Sequence, residues 1–185
     1  MPPLFNILGC VTIPLFDGYE MPNLNVLWKE KILQKPKIVD WRTFNNIDGE
    51  ILYRGIPSYA SVESEFEGTH LPNYQLYGPG LYFAFSKYEA SLYTQKNGTL
   101  LLAKLANNAN LVIDRTVNWL EEEWYGFEQL ECFVGKSDGE RIGIAREYLE
   151  KSVDAYVTAE GFHIAILDRS KLFLAERKTG DSNGE

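Results

Sequence analysis

The chain has 185 residues, one domain's worth of sequence and enough to bury a sizeable core. A net charge of −8 with no basic stripe excludes phosphate-backbone binding as its main business. Two cysteines, Cys10 and Cys132, cannot build a disulfide framework, and no apolar run approaches the roughly eighteen residues of a membrane helix.

In chain order, the first twenty residues carry Pro2, Pro3, Pro14 and Gly18 and are predicted irregular or short strand. "NILGC" at 6–10 has the shape of a lipoprotein cleavage site, but no Lys or Arg precedes it and its apolar stretch is too short for a signal core. The expectation is a soluble protein of the cytoplasm, or one secreted into a host cytoplasm as an effector. "NLNVLWKEKILQKP" (23–36) has helical spacing and stops at Pro36. "EILYRGIPS" (50–58) reads as a strand running into a turn, and 58–75 as a long polar loop of the kind that carries function.

"GLYFAF" (80–85) is a short predicted strand, followed by a helix over 86–95 with Ser86 as cap and Glu89 completing a capping box. "GTLLLAKLA" (98–106) is apolar enough to be a strand buried on both faces. Residues 116–133 read as an acidic helical segment and 138–152 as another helix, flawed by Gly143. "DAYVT", "FHIAILD" and "KLFLAE" are three short strands within 154–176, and 177–185 is expected to be a disordered tail. The pattern is a single α+β domain over 1–176, with strands on either side of a helical middle.

Two stretches carry chemistry. In "LYRG" (52–55), Arg54 on a strand has the fork to hold a phosphate or carboxylate, and Gly55 lets a ligand approach the backbone. A solvated surface arginine explains the same residues. In "YGPGLYFAFSKYEASLY" (77–93), Tyr82 and Tyr93 stand eleven residues apart on a strand and the helix after it. Two rings so placed can sandwich a planar heterocycle, and a cationic one gains a cation–π attraction. Packing of the helix onto the sheet is the plainer account.

Taken in order, "YRG" on a strand, "GPGLYFAFSKYEASLY" and "GTLLLAKL" resemble the ADP-ribosyltransferase superfamily, which includes poly-ADP-ribose-polymerase catalytic domains and bacterial toxins. The resemblance spans roughly 50–175. It implies a split, bent pair of small β-sheets with flanking helices and NAD, the co-substrate, in the cleft between them. It implies that Arg54 fixes the adenylate phosphate or ribose and that the Gly55 backbone bonds the nicotinamide amide. Tyr82 and Tyr93 would bracket the nicotinamide ring, and Ser86 would reach the same amide. The implied chemistry is cleavage of the ribose–nicotinamide bond through an oxocarbenium-like state, with an acceptor attacking the anomeric carbon.

A third motif in that superfamily supplies a Glu to the nicotinamide ribose, ahead of an apolar strand, an Asp or Asn and a short Ser-containing turn. The ungapped match is "HIAILDRSKL" (163–172), which puts His163 in the Glu position, with Glu160 three residues earlier. Gly161 permits a bulge that re-aims Glu160, although strand parity does not bring it to the face of His163. The expected catalytic set is therefore Arg54, Tyr82, Glu160 and His163, with Glu160 and His163 as alternatives for one role. The leading expectation is a mono-ADP-ribosyltransferase that modifies a macromolecule, a protein acceptor in preference to nucleic acid. The alternatives are a non-catalytic member binding NAD, ADP-ribose or a protein, and an NAD glycohydrolase. His70 reads as a surface residue. Two histidines and two cysteines, far apart, give no metal cluster, and no dinucleotide fingerprint of the Gly-rich type is present. The run Glu121–Glu123 reads as a solvated helix face or as a docking surface for a basic partner.

Overall fold

The structure, a computed structural model, describes residues 34–66, 80–114, 128–130 and 133–176. The helix expected over 23–36 lies almost wholly outside these residues, as do His70, residues 116–127 and the 177–185 tail. Within them the chain runs β1 (Lys37–Val39), α1 (Trp41–Asn46), β2 (Leu52–Ile56), α2 (Val62–Phe66), β3 (Leu81–Ala84), α3 (Lys87–Thr94) and β4 (Thr99–Leu105). It continues through β5 (Leu111–Asp114), β6 (Glu128–Leu130), α4 (Asp138–Glu150), β7 (Ala155–Val157), β8 (His163–Ile166), a 3-10 turn (Arg169–Lys171) and β9 (Leu172–Ala175). This is an α+β fold. No helix among the described residues is long and apolar enough to cross a membrane.

The strands form one open sheet in the order β1-β9-β4-β2-β3-β8-β7-β5-β6. Its centre is antiparallel, and parallel pairs occur toward the edges, β1 with β9 and β5 with both β6 and β7. The join between β2 and β3 is the weak seam. They meet at one pair, Tyr53↔Ala84, while β2 pairs with β4 from Leu52↔Ala103 to Ile56↔Thr99 and β3 pairs with β8 over four residues. Beyond Tyr53 the sheet is close to dividing into two halves.

Strand alternation sorts the side chains onto two faces. Leu52, Ile56, Leu81, Phe83, Leu101, Ala103, Ile164, Ile166, Leu172 and Leu174 bury one face, covered in part by Phe66 of α2. On the other, Val112, Tyr156, Ala165 and Leu167 pack with Ile144 and Tyr148 of α4. That second face also carries α1, where Lys104 Nζ donates to the Ile47 carbonyl at 2.7 Å over the Phe44 ring.

Local signals explain most elements. Ser137 and Glu140 form a complete capping box at the start of α4. Ser86 caps α3 by accepting from the Tyr88 N–H at 3.2 Å, and the return bond from Glu89 that a capping box requires is not made. Strand β4 alternates: Leu101 and Ala103 are buried on one side, Leu100 and Leu102 only half-buried on the other. The helical reading of 116–133 fails at its described end, because Glu128–Leu130 are strand β6. Pairing beside β5 and burial of Leu130 override the helix preference of an acidic segment. Within the expected long loop, Val62–Phe66 form a short helix anchored by Phe66.

Candidate functional site

The site residues gather around the β2–β3 seam. Tyr53, Ala84 and His163 form a row across β2, β3 and β8, since Tyr53 pairs with Ala84 and Ala84 with His163. Tyr82 lies on the same face, opposite Ala165 and diagonal to His163. Gly55 shares the face with Tyr53, and α3 lies directly over it. A Cβ on Gly55 would stand 2.1 Å from the Ala90 carbonyl oxygen and 3.1 Å from the carbonyl carbon of Tyr93. Helix α3 and helix α4 therefore sit on one side of the sheet, with Tyr82, Ala84 and His163 on the strands between them.

Arg54 belongs by alternation to the opposite face, with Leu52 and Ile56, yet its guanidinium reaches across the seam. Its Nη1 donates to the Tyr82 carbonyl oxygen at 2.8 Å. A charge-assisted bond of this kind stands where continued strand pairing would have supplied a backbone donor.

Tyr82 is half-buried and packs against the core beneath α4. It shares a side-chain hydrogen bond with Tyr156, which is fully buried; burial pushes the Tyr156 phenol well above its ordinary value, with Tyr82, Tyr148 and Asp114 adding to the effect. Tyr156 therefore stays protonated and fixes the Tyr82 hydroxyl. Tyr93, on α3, is more than half exposed. The two tyrosines thus lie on one side of the sheet, one anchored and one outward. Ser86 is exposed at the start of α3, and capping uses its oxygen as acceptor while leaving its O–H as a donor.

The third motif folds into a tight turn. Gly161 donates to the Thr158 carbonyl at 2.8 Å, and Thr158 N–H donates to the His163 carbonyl at 2.9 Å. Gly161 has φ +75°, a left-handed conformation suited to glycine. This turn swings Glu160 back so that its Oε1 contacts His163 Nδ1. The side chains are 17% exposed for His163 and 16% for Glu160, and Glu160 Oε2 is buried without a hydrogen-bond partner. The two residues read as alternatives in the sequence are one pair. After β8, Asp168 Oδ1 accepts from Ser170 N–H at 3.0 Å and from its hydroxyl at 2.6 Å, which accounts for the Asp-x-Ser spacing.

Sequence reasoning missed Tyr156 and gave Tyr53 no role. Tyr53 was visible in "LYRG" as a strand neighbour of Arg54. Tyr156 carried no signal, because its link to Tyr82 runs between strands more than seventy residues apart in sequence. No family model, curated protein or solved structure matches this chain.

Proposed function

We propose that this protein is an NAD-dependent mono-ADP-ribosyltransferase with the fold of that superfamily, acting on a protein acceptor. The observation that carries the reading is the convergence of the Arg54 strand, Tyr82, the Tyr93 helix and the Glu160–His163 pair on one near-split in the sheet. Three segments distant in sequence, the Arg54 strand, the contiguous Tyr82 strand and Tyr93 helix, and the Glu160–His163 turn, meet there, and each holds a residue suited to one part of NAD. The near-division at Tyr53↔Ala84 supports the two-sheet architecture that the resemblance implies.

In this mechanism Arg54 offers its charge to the adenylate phosphate or ribose. Tyr82, held by Tyr156, and Tyr93 flank the nicotinamide, with the Gly55 backbone and the Ser86 hydroxyl directed to its amide. Glu160 Oε2, a buried carboxylate oxygen without a partner, accepts from a hydroxyl of the nicotinamide ribose. Its negative charge then stabilises the ribose as it becomes cationic, and nicotinamide leaves as a neutral base. The acceptor attacks the anomeric carbon from the open side.

The test is incubation of the purified chain with NAD labelled on the adenylate, in cell lysate. Label on a protein band is the expected result, and free ADP-ribose alone would select hydrolysis instead. Arg54→Ala and Tyr82→Ala should each abolish NAD binding or turnover. Wild-type protein that neither binds nor consumes NAD, or variants that keep full affinity and turnover, would overturn the proposal.

A further inference from the structure

We infer that Glu160 and His163 act as one dyad in which His163 Nε2 removes the proton of the attacking group, so that the acceptor is a hydroxyl. This rests on the NAD-cleaving reading above and names its acceptor chemistry. The contact with Glu160 occupies His163 Nδ1. A carboxylate can only accept, so Nδ1 carries a proton, and the nitrogen left to act as a base is Nε2. The same carboxylate fixes the orientation of the imidazole, the arrangement by which a third group readies a base beside a nucleophile.

The backbone closure of the turn does not rest on the pair. The turn is already closed by backbone bonds from Gly161 and Thr158 and by the Thr158 hydroxyl, which donates to the His163 carbonyl at 3.1 Å. His163 also stands where a base is useful, on the face of Tyr82 and beside the small Ala84, with Glu160 folded over it. Its neighbours are Glu160 at Nδ1, Ala84 directly opposite and Tyr82 on the diagonal of β3, and Thr158, one residue past β7, at its carbonyl.

The step balances without any other reagent. The acceptor oxygen bonds to the anomeric carbon and the carbon–nitrogen bond to nicotinamide breaks, its electron pair neutralising the pyridinium. The hydroxyl proton passes to His163 Nε2 and from there to solvent. A carboxylate acceptor would need no such base, whereas the hydroxyl of a side chain, or of water, does. Glu160 is the positioning residue for this proton transfer.

The experiment compares wild type, His163→Gln and Glu160→Gln for NAD affinity, turnover and products, with and without azide, a nucleophile that has no proton to lose. His163→Gln should bind NAD within a few-fold of wild type and lose on the order of 10²–10⁴ in turnover with hydroxyl acceptors. Azide should restore its turnover and yield ADP-ribosyl azide. Glu160→Gln should lose turnover with hydroxyl acceptors and with azide alike, because its carboxylate also stabilises the cationic ribose, and azide rescue should therefore be confined to His163→Gln. Label mapped by mass spectrometry to a serine, threonine or tyrosine identifies a side-chain hydroxyl as acceptor and free ADP-ribose identifies water, either agreeing with the dyad; label mapped to any other side chain would overturn the hydroxyl assignment. An active wild type with an unaffected His163→Gln, or with a slow His163→Gln that azide does not rescue, would overturn the dyad alone. A wild type inert toward NAD would overturn the parent reading and the dyad with it.

Discussion

Arg54 Nη1 donates to the Tyr82 carbonyl oxygen at 2.8 Å, joining two strands at the point where their backbone pairing stops. One side chain thus ties the two halves of the sheet beside the candidate site. Removing it leaves a part-buried carbonyl without its charged donor. Arg54→Ala should lower stability by about 1–3 kcal/mol, measured as a fall in the urea midpoint at unchanged slope. Arg54→Lys should recover little of this, since an ammonium lacks the planar fork of the guanidinium. Full stability in the alanine variant would mean that the bridge contributes nothing to the fold.

Gly55 answers to α3. A methyl there would lie 2.1 Å from the Ala90 carbonyl oxygen and 2.9 Å from the Thr94 nitrogen, both backbone atoms of a helix that cannot step aside alone. Gly55→Ala should cost about 1–3 kcal/mol or more as α3 is driven off the sheet, and should reduce NAD affinity along with it. A variant as stable as wild type in chemical denaturation would contradict the close approach.

Gly143 is the opposite case. It sits exposed within α4, and a methyl added to it would meet nothing within 4 Å. Gly143→Ala should raise stability by about 0.5–1 kcal/mol, read as a higher denaturation midpoint, through the smaller entropy loss of alanine on entering a helix.

Tyr156 sets an alkaline limit. Burial, then its phenolic and carboxylate neighbours, hold its folded pKa well above the ordinary value near 10. The unfolded chain therefore loses this proton first as pH rises, so the stability contribution is fully present below about pH 10 and declines above it. Tyr156→Phe should flatten the loss of stability above pH 10, seen in denaturation midpoints across an alkaline series. At neutral pH it should cost about 0.5–1.5 kcal/mol for the lost bond to Tyr82. An alkaline limb as steep in the variant as in wild type would rule Tyr156 out as its cause.

The comparison of capping signals shows where sequence reading is sound and where it slips. Ser86 and Glu89 have capping-box spacing, and only the Ser86 half is used. Ser137 and Glu140 have the same spacing and make both bonds. Spacing marks the helix start in both cases, because the cap is a local matter. Whether the glutamate turns back depends on what surrounds it. Strand β6 makes the same point at larger scale: Glu128–Leu130 lie in a stretch with helical leanings, and the neighbouring β5 decides otherwise.

What the sequence by itself determined is most of the local elements. The strands near 50–58, 80–85 and the three pieces within 154–176 were legible, as were α3, with its Ser86 cap, and α4, and the superfamily resemblance pointed to the turn that Asp168 and Ser170 make. These depend on residues within a few positions of one another. Only the tertiary structure decided that β2 and β3 touch at a single pair, that Tyr82 leans on Tyr156, and that Glu160 closes on His163. The first two depend on strand register, which is set by packing between segments dozens of residues apart. The third depends on a left-handed glycine in a turn whose closure aligns β7 with β8, so that parity along the strand no longer predicts which side chains meet.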